Sequence, residues 1–247
     1  MDIKSIEELS RILKESNNIV FFGGAGVSTE SDIPDFRSEK GIYNIKTKYS
    51  HPPEVMLSHS FFMNNTELFY DFYKNSMIFK DAKPNLAHKA LYKLEQIGKL
   101  KAIITQNIDG LHQMAGSTNV LELHGSIYRN HCIRCSKFFD LDYMLSTKGI
   151  PKCDACNGVV KPDVTLYEEG LDMDVIEKSV SAISRCDTLI IGGTSLSVYP
   201  AAGLIDYYKG NNLILINKGE VYKQNRAKLV FKESIGEVLE KAIGILK

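Results

Sequence analysis

The 247-residue sequence has no excess of charge of either sign. Its 30 lysine and arginine residues balance 30 aspartate and glutamate residues, and its pI is about 7.0. Proteins that bind nucleic acids or anionic membranes usually carry a basic surface that meets the phosphates. The composition therefore predicts no direct binding to nucleic acid and no electrostatic attraction to a membrane.

The sequence also lacks a long apolar run. Its longest uncharged stretch, residues 188–205, has about 18 residues against the ~20 that a membrane helix needs, and glycine, serine and proline interrupt it. The first residues, MDIKS, lead directly into an amphipathic pattern without the apolar core of a signal peptide. We therefore expect no membrane span and a cytoplasmic location.

Cysteines are few, and their odd number of five argues against a disulfide framework. Four of them form two C-x-x-C pairs, Cys132 with Cys135 and Cys153 with Cys156, and the 17 residues between the pairs are typical of a zinc ribbon. Four thiolates complete the tetrahedral coordination of zinc and exclude water, so we expect one structural ion. The alternative is four thiols packed as small apolar side chains. The lone Cys186 is expected in the core.

Short apolar runs at residues 19–22, 102–105, 188–191 and 213–216 are typical of buried parallel strands. Helical patterns lie between them, at residues 87–97 and 175–184. Capping boxes that start at Ser5 and Ser234 are expected to open the first and last helices. The alternation predicts an α/β fold in which helices cover both faces of a parallel sheet.

Two stretches break this alternation. Residues 35–83 are rich in aromatics and show no buried strand pattern, which predicts a helical insertion. Residues 128–162 contain the paired cysteines and form the expected zinc module. A single domain over residues 1–247 is therefore expected, with its α/β core at about 1–34, 84–127 and 163–247.

A glycine run, residues 24–26, follows the first predicted strand. Glycines there allow the backbone to approach a phosphate closely. However, Thr29 replaces the third glycine of G-x-G-x-x-G, and no strand ends in an acidic residue about 20 positions later. This pattern by itself leaves open a nucleotide loop and a tight turn.

A further strand is predicted at residues 120–123, and polar residues follow four of the predicted strands, at 105–109, His124, 194–195 and Asn217. Binding sites of open α/β sheets lie at such carboxyl ends. A histidine there can act as a general base near neutral pH. Asn107 or Asp109 could instead cap a helix. Polar residues at the carboxyl ends of four strands in one sheet favour a ligand site there.

Several of these motifs resemble the signature of the sirtuin family. They are residues 24–29 (GAGVST), 33–38 (IPDFRS), 105–112 (TQNIDGLH), 123–125 (LHG), 193–196 (GTSL) and 199–202 (YPAA), together with the cysteine pairs. They occur in the family's order from about residue 19 onwards. The resemblance implies a Rossmann-like core with a small zinc module, and NAD-dependent transfer of acyl groups from protein lysines to ADP-ribose with release of nicotinamide.

The resemblance also implies roles for individual residues. Those implied to hold NAD are Gly24, Ala25, Gly26, Thr29, Phe36, Arg37, Gln106, Ile108, Asp109, His124, Thr194, Ser195, Asn217, Lys218 and Ser234. Among them, Phe36, Arg37, Ile108 and Asp109 would surround the nicotinamide. His124 is implied as the base that takes a proton from a ribose hydroxyl, and Asn107 as the residue that positions the ribose or a water. The substrate peptide would pair as an added strand with residues that include Val164, Leu166, Tyr167 and Val198.

The sequence departs from the family pattern at a few positions. Asp32 stands where many relatives have glycine, and residues 167–169 (YEE) replace the commoner FGE. Relatives that prefer acidic acyl chains carry Tyr-x-x-Arg in the helical insertion, whereas the matching residues here are Tyr70 and Tyr73. We therefore expect acetyl-lysine to be preferred over succinyl-lysine, although the adjacent Lys74 offers a flexible cation.

Other functions remain open at this point. A protein ADP-ribosyltransferase would use the same NAD site with a different acceptor. A zinc-ribbon binding module would need neither His124 nor the polar strand ends, and a dehydrogenase would produce NADH. The sequence predicts acyl-lysine proteins or peptides as partners, and it does not determine the oligomeric state or the target protein.

Overall fold

The structure, a computed structural model, describes residues 2–36, 41–42, 49–219 and 224–246. Its strands are β1 (Ile19–Gly23), β2 (Leu100–Thr105), β3 (Val120–Glu122), β4 (Gly125–Cys132), β5 (Phe138–Phe139), β6 (Val160–Val164), β7 (Thr188–Gly192), β8 (Asn212–Ile216) and β9 (Leu229–Phe231). Its α-helices are α1 (Ile3–Glu15), α2 (Pro53–Met56), α3 (His59–Asn64), α4 (Thr66–Ser76), α5 (Leu86–Gln96), α6 (Leu111–Met114), α7 (Leu141–Ser146), α8 (Met173–Arg185) and α9 (Ile235–Gly244). Short 3₁₀ helices cover Ala25–Val27, Thr29–Ser31, Ala201–Tyr207 and Gln224–Arg226.

Six strands form one sheet in the order β3-β2-β1-β7-β8-β9, and every neighbouring pair is parallel. From the central β1 the chain first builds outward on one side, through β2 and β3. It then builds on the other side, through β7, β8 and β9. This reversal is the topological switch point of a Rossmann-like fold, and the crevice at such a point is where ligands bind.

Helices cover both faces of this sheet, which confirms the predicted fold class. Because successive residues of a strand point to opposite faces, Phe21 and Phe22 enter different cores. Phe21 packs in the core that contains the apolar sides of α1, α5 and α9. Phe22 packs in the core that contains Ile183 of α8 and Leu204 of the third 3₁₀ helix.

A second body is built from both predicted insertions. Its three-stranded antiparallel sheet has the order β5-β4-β6, and α2, α3, α4 and α7 share one hydrophobic core with it. In that core Phe69 of α4 packs in the same cluster as Ile127 of β4 and Val160 of β6. The small sheet starts at Gly125 and ends at Val164, slightly outside the predicted range of 128–162. The helical and cysteine-containing segments therefore stabilise each other.

Gly125 allows the chain to pass from β3 of the six-stranded sheet into β4 of the three-stranded sheet. Its φ is +73°, and a Cβ there would lie 1.9 Å from the backbone oxygen of Asp163. Glycine is therefore required where β4 begins beside β6, one position after His124.

The first helix starts earlier than predicted. Asp2 is its N-cap, and its carboxylate accepts hydrogen bonds from the backbone of Lys4 and Ser5. The predicted capping box at Ser5 was wrong, because an acidic side chain three residues upstream accepts from the first-turn N–H groups. Ser234 is the N-cap residue of α9, but its side chain makes no capping hydrogen bond. No helix in the described part of the chain is long and apolar enough to cross a membrane.

Candidate active site

A cleft of about 550 Å³ lies at the carboxyl ends of the main-sheet strands, and residues of the second body line its other side. This volume is typical of a small-molecule site. The predicted site residues that line it are Gly24, Ala25, Gly26, Thr29, Phe36, Gln106, Asn107, Ile108, Asp109, His124, Val164, Leu166, Tyr167, Thr194, Ser195, Val198, Asn217, Lys218 and Ser234. Arg37 was also predicted and lies outside the described residues. The fold thus brings these sequence-distant positions to one cleft.

The glycine run after β1 packs directly against the turn after β7. The Gly26 N–H donates to the Gly193 oxygen at 2.8 Å, and a Cβ on Gly26 would lie 2.7 Å from the Gly193 Cα. Gly193 itself has a φ of +63°. The two interpretations of the glycine run are therefore compatible, because the tight turn also lines the cleft.

Three polar side chains join the ends of β1 and β2. Ser28 Oγ donates to Asp109 Oδ2 at 2.6 Å, and Asn107 Nδ2 donates to Ser28 Oγ at 3.0 Å. The other Asp109 oxygen accepts the Leu111 N–H at 2.9 Å, while the N-cap residue of α6 is Gly110. Burial raises the pKa of Asp109, and these two hydrogen bonds oppose that shift. Ser28 was not among the predicted site residues, although it lies within the 24–29 motif.

His124 is held by the backbone at the end of β2. Its Nδ1 donates to the Gln106 oxygen at 2.9 Å, which leaves Nε2 as the nitrogen that can accept a proton. Burial lowers the pKa of His124, and the hydrogen bond to Gln106 offsets part of that shift. The Gln106 side chain in turn donates to Thr194 Oγ1 at 3.2 Å, which connects the end of β2 to that of β7. His124 is therefore a neutral, oriented imidazole at neutral pH.

The part of the cleft formed by the second body is apolar. Ile42, Leu57, Tyr73 and Met77 line it and belong to the core of that body. Lys74, the flexible cation considered for acidic acyl chains, donates through Nζ to the backbone oxygens of Thr147 and Gly149 and to Thr147 Oγ1. Among the described residues that line the cleft, Lys218 is the one lysine or arginine, and it follows β8 in the main sheet.

The segment after β6 uses its N–H groups within the protein, and its carbonyl oxygens at Val164, Leu166 and Tyr167 each already accept one hydrogen bond, from Lys161 Nζ, the Glu169 N–H and the His59 N–H. The Thr165 N–H donates to the His124 oxygen at 3.1 Å, the Leu166 N–H to Glu169 Oε2 at 2.9 Å and the Tyr167 N–H to the Leu57 oxygen at 2.9 Å. Because a carbonyl oxygen has two lone pairs and an N–H only one hydrogen, an extended peptide beside this segment would donate its own N–H groups here.

The four paired cysteines meet in the second body, away from the cleft. Their sulfurs lie within 4.8 Å of one another, with Cys132 Sγ 3.4 Å from Cys156 Sγ and Cys135 Sγ 3.6 Å from Cys153 Sγ. A tetrahedral zinc site with Zn–S bonds of about 2.3 Å has sulfurs about 3.8 Å apart. The cysteines therefore fit a closed, structural zinc site. Cys186 is buried in the core, as predicted.

Comparisons with known proteins agree with this geometry. The model of the Sir2 family matches residues 24–200. The NAD-dependent protein deacetylase of Clostridium acetobutylicum is 65% identical over 242 residues, which are 98% of this chain and 99% of the relative. A structure described as "Sir2-p53 peptide-NAD+" superposes with a TM-score of 0.85 at 37% identity and covers 99% of this chain and 98% of its own. One described as "Sir2 bound to acetylated peptide" has a TM-score of 0.86 at 36% identity and covers both chains fully.

Proposed function

The chain belongs to the Sir2 family, and we propose that the strand-end cleft is where it removes acetyl groups from protein lysines. It is an NAD-dependent protein deacetylase that acts on acyl-lysine peptides and carries a structural zinc site. One observation carries the assignment to this cleft: the backbone-oriented His124 opens onto the same cavity as the Ser28–Asn107–Asp109 cluster.

NAD would lie across the carboxyl ends of the strands. The turn after β1, the turn after β7 and the polar residues Gln106, Thr194 and Asn217 line this region with hydrogen-bonding groups. The glycines keep that surface free of side chains. NAD supplies a ribose carbon from which nicotinamide can leave when the acyl oxygen of the lysine attacks.

His124 then acts as the general base of the acyl transfer. Its neutral Nε2 accepts a proton from a ribose hydroxyl, so that the hydroxyl oxygen can attack the acyl group. The bond from Nδ1 to the Gln106 oxygen fixes the tautomer and the ring orientation for this step. Asn107, held by Ser28, positions the ribose or a water beside it.

The peptide would pair with the cleft as an added strand. The segment at Val164, Leu166 and Tyr167 would accept hydrogen bonds through the second lone pairs of its carbonyl oxygens, since its N–H groups from Thr165 to Tyr167 are already used. The segment around Val198 would complete the pairing on the other side. Backbone pairing of this kind provides affinity with little selectivity for side chains.

Mass spectrometry of an acetyl-lysine peptide incubated with the full chain, with and without NAD, tests this function. We expect NAD-dependent loss of the acetyl group with equimolar nicotinamide and acetylated ADP-ribose. ADP-ribose attached to protein without deacetylation would favour the transferase, NADH would favour hydride transfer, and no turnover would favour a binding module. Each of these outcomes would contradict the proposal.

We also propose that the chain works in the cytoplasm on proteins and not on nucleic acids. The balanced charge and the five free thiols, four of them arranged as zinc ligands, support this placement. Fractionation of cells that express a tagged chain tests the location, and recovery outside the cytosolic fraction would contradict it.

A further inference from the structure

Tyr73 on α4 has a hydroxyl that no neighbour satisfies. The side chain is fully buried, and within the described part of the chain its Oη has no hydrogen-bond partner. The same residue lines the cleft. A buried polar group without a partner is unfavourable, and one beside a ligand cavity is a position where a ligand can provide the missing partner.

The surroundings of Tyr73 are apolar. Phe69 stacks on its ring with centroids 5.6 Å apart, and Ile42, Leu57 and Met77 belong to the same core and line the same cleft. Burial raises the pKa of Tyr73, so the phenol remains neutral and can donate one hydrogen bond. Oη is thus a single neutral donor and acceptor in an apolar setting.

Tyr70, one turn earlier on the same helix, provides the contrast. It is also fully buried, but its Oη donates to the backbone oxygen of Val160 at 2.5 Å. A tyrosine hydroxyl in this core can therefore find a protein partner. Of these two core tyrosines, the one whose hydroxyl lacks a partner, Tyr73, is the one that also lines the cleft.

We propose that Tyr73 is a specificity-determining residue that selects acyl chains carrying a neutral hydroxyl, that is, hydroxyacyl-lysines. This inference rests on the deacylase function proposed above. A hydroxyl on the acyl chain would accept the Tyr73 O–H or donate to its oxygen. A hydrocarbon chain of the same length leaves Oη unpaired, so it gains less from the cleft.

An acidic acyl chain would not take the same place. A carboxylate could accept the Tyr73 hydrogen bond, but a buried charge also needs a cation. The nearest candidate in sequence, Lys74, is bound to Thr147 and Gly149. A neutral hydroxyl needs only the single hydrogen bond that Tyr73 can offer.

Matched acyl pairs on one peptide test the inference. The pairs are propionyl against 2-hydroxypropionyl and butyryl against 3-hydroxybutyryl, which place the hydroxyl at two depths. For the wild type we expect kcat/KM to be about fivefold to tenfold higher for the hydroxylated member of at least one pair, as one added hydrogen bond would give. Tyr73→Phe should reduce that ratio to about one, and the control Tyr70→Phe should retain it.

Two results would overturn the inference. One is equal kcat/KM within both acyl pairs for the wild type, a result that does not depend on whether any variant folds. The other is a hydroxyl preference that persists in folded Tyr73→Phe, as judged by its thermal melt. Turnover of the acetyl peptide by the wild type distinguishes a failure of the Tyr73 inference from a failure of the deacylase function. If the wild type deacetylates without a hydroxyl preference, only the role of Tyr73 fails, whereas no turnover of any acyl peptide contradicts the deacylase function itself.

Discussion

Ser28 and Asp109, 81 positions apart in the chain, are joined by a 2.6 Å hydrogen bond from the serine hydroxyl to the carboxylate. The bond connects the turn after β1 to the turn after β2, next to the strand ends where the cleft opens. It fixes a buried carboxylate at the position where the resemblance places the nicotinamide. Ser28 also accepts from Asn107, so one hydroxyl organises both polar neighbours.

Ser28→Ala should therefore weaken catalysis while the fold is kept. The change leaves Asn107 Nδ2 without its acceptor and Asp109 Oδ2 without its donor, at a cost of about 1–3 kcal/mol. We expect kcat/KM for NAD to fall roughly tenfold or more, by the usual conversion of free energy to rate. Steady-state kinetics with an acetyl peptide measure this, with Ser184→Ala on the exposed side of α8 as the control. Equal kinetics for the two variants would refute the role of Ser28.

The parallel sheet and the cleft could be predicted because their signals are local. Apolar runs such as residues 19–22 mark buried strands, and the carboxyl ends of parallel strands must meet at one edge. The sequence alone therefore predicts that Gln106, His124 and Asn217 lie close together. The resemblance to a family then assigned their roles.

The features that the sequence did not reveal depend on contacts between distant segments. The hydrophobic periodicity of residues 35–83 does not show that Phe69 shares a core with Val160. The unsatisfied hydroxyl of Tyr73 and the bond from Ser28 to Asp109 likewise exist only after packing. The start of α1 lies earlier than predicted for a local reason, since Asp2 accepts the N–H groups of Lys4 and Ser5 and the helix begins at Ile3.

Loss of one zinc ligand should destabilise the second body. Metal binding supplies much of the folding free energy of a small ribbon, and its core is shared with α4. We expect Cys153→Ser to lower both the zinc content and the Tm. Cys186→Ala, a buried cysteine outside the cluster, is the control and should keep one zinc per chain. Metal analysis that finds no zinc in gently purified wild type would contradict the site.

A buried histidine pair should make the fold sensitive to acid. The rings of His88 and His112 lie 4.7 Å apart, and both histidines are almost fully buried. Burial lowers the pKa of His88 from 6.5 to about 4 and lowers that of His112 as well, so the folded chain keeps both neutral. The unfolded chain binds protons once the pH falls below about 6.5, so stability present above that pH is lost as the pH falls toward 4.

Each histidine should cost about 1.5 kcal/mol of unfolding free energy between pH 6.5 and pH 5, because the slope approaches its limit of about 1.4 kcal/mol per pH unit only below pH 6.5. Denaturant titrations at the two pH values measure the loss. His112→Leu should lose less stability than the wild type over this interval, whereas His51→Leu, a change at an exposed histidine, should lose as much. A loss that is the same in all three proteins would show that the buried pair does not cause it.

Acetyl-lysine should be a much better substrate than succinyl-lysine. By the family resemblance, Tyr73 stands where relatives that accept acidic chains have arginine, and Lys74 is bound to the backbone of Thr147 and Gly149. The succinyl carboxylate would therefore enter an apolar region where no described residue places a cation. The measurement is kcat/KM for acetyl and succinyl forms of one peptide. A folded Tyr73→Arg variant should have a smaller ratio of acetyl to succinyl kcat/KM than the wild type. Equal or greater kcat/KM of the wild type on the succinyl form would contradict this view of the cleft.

The central claim is that His124 is the base of an NAD-dependent acyl transfer, and His124→Ala tests it most directly. Two rates are measured on the same folded protein: deacetylation of a peptide, and exchange of labelled nicotinamide into NAD in the presence of that peptide. Because the base acts after nicotinamide leaves, we expect deacetylation to fall about 10²–10⁴-fold while exchange persists. In the wild type the loss of deacetylation at acid pH should have its midpoint below 6.5, since burial lowers the pKa of His124 and the neutral ring is the active form. Near-normal deacetylation by folded His124→Ala, compared with His51→Ala, would contradict the account.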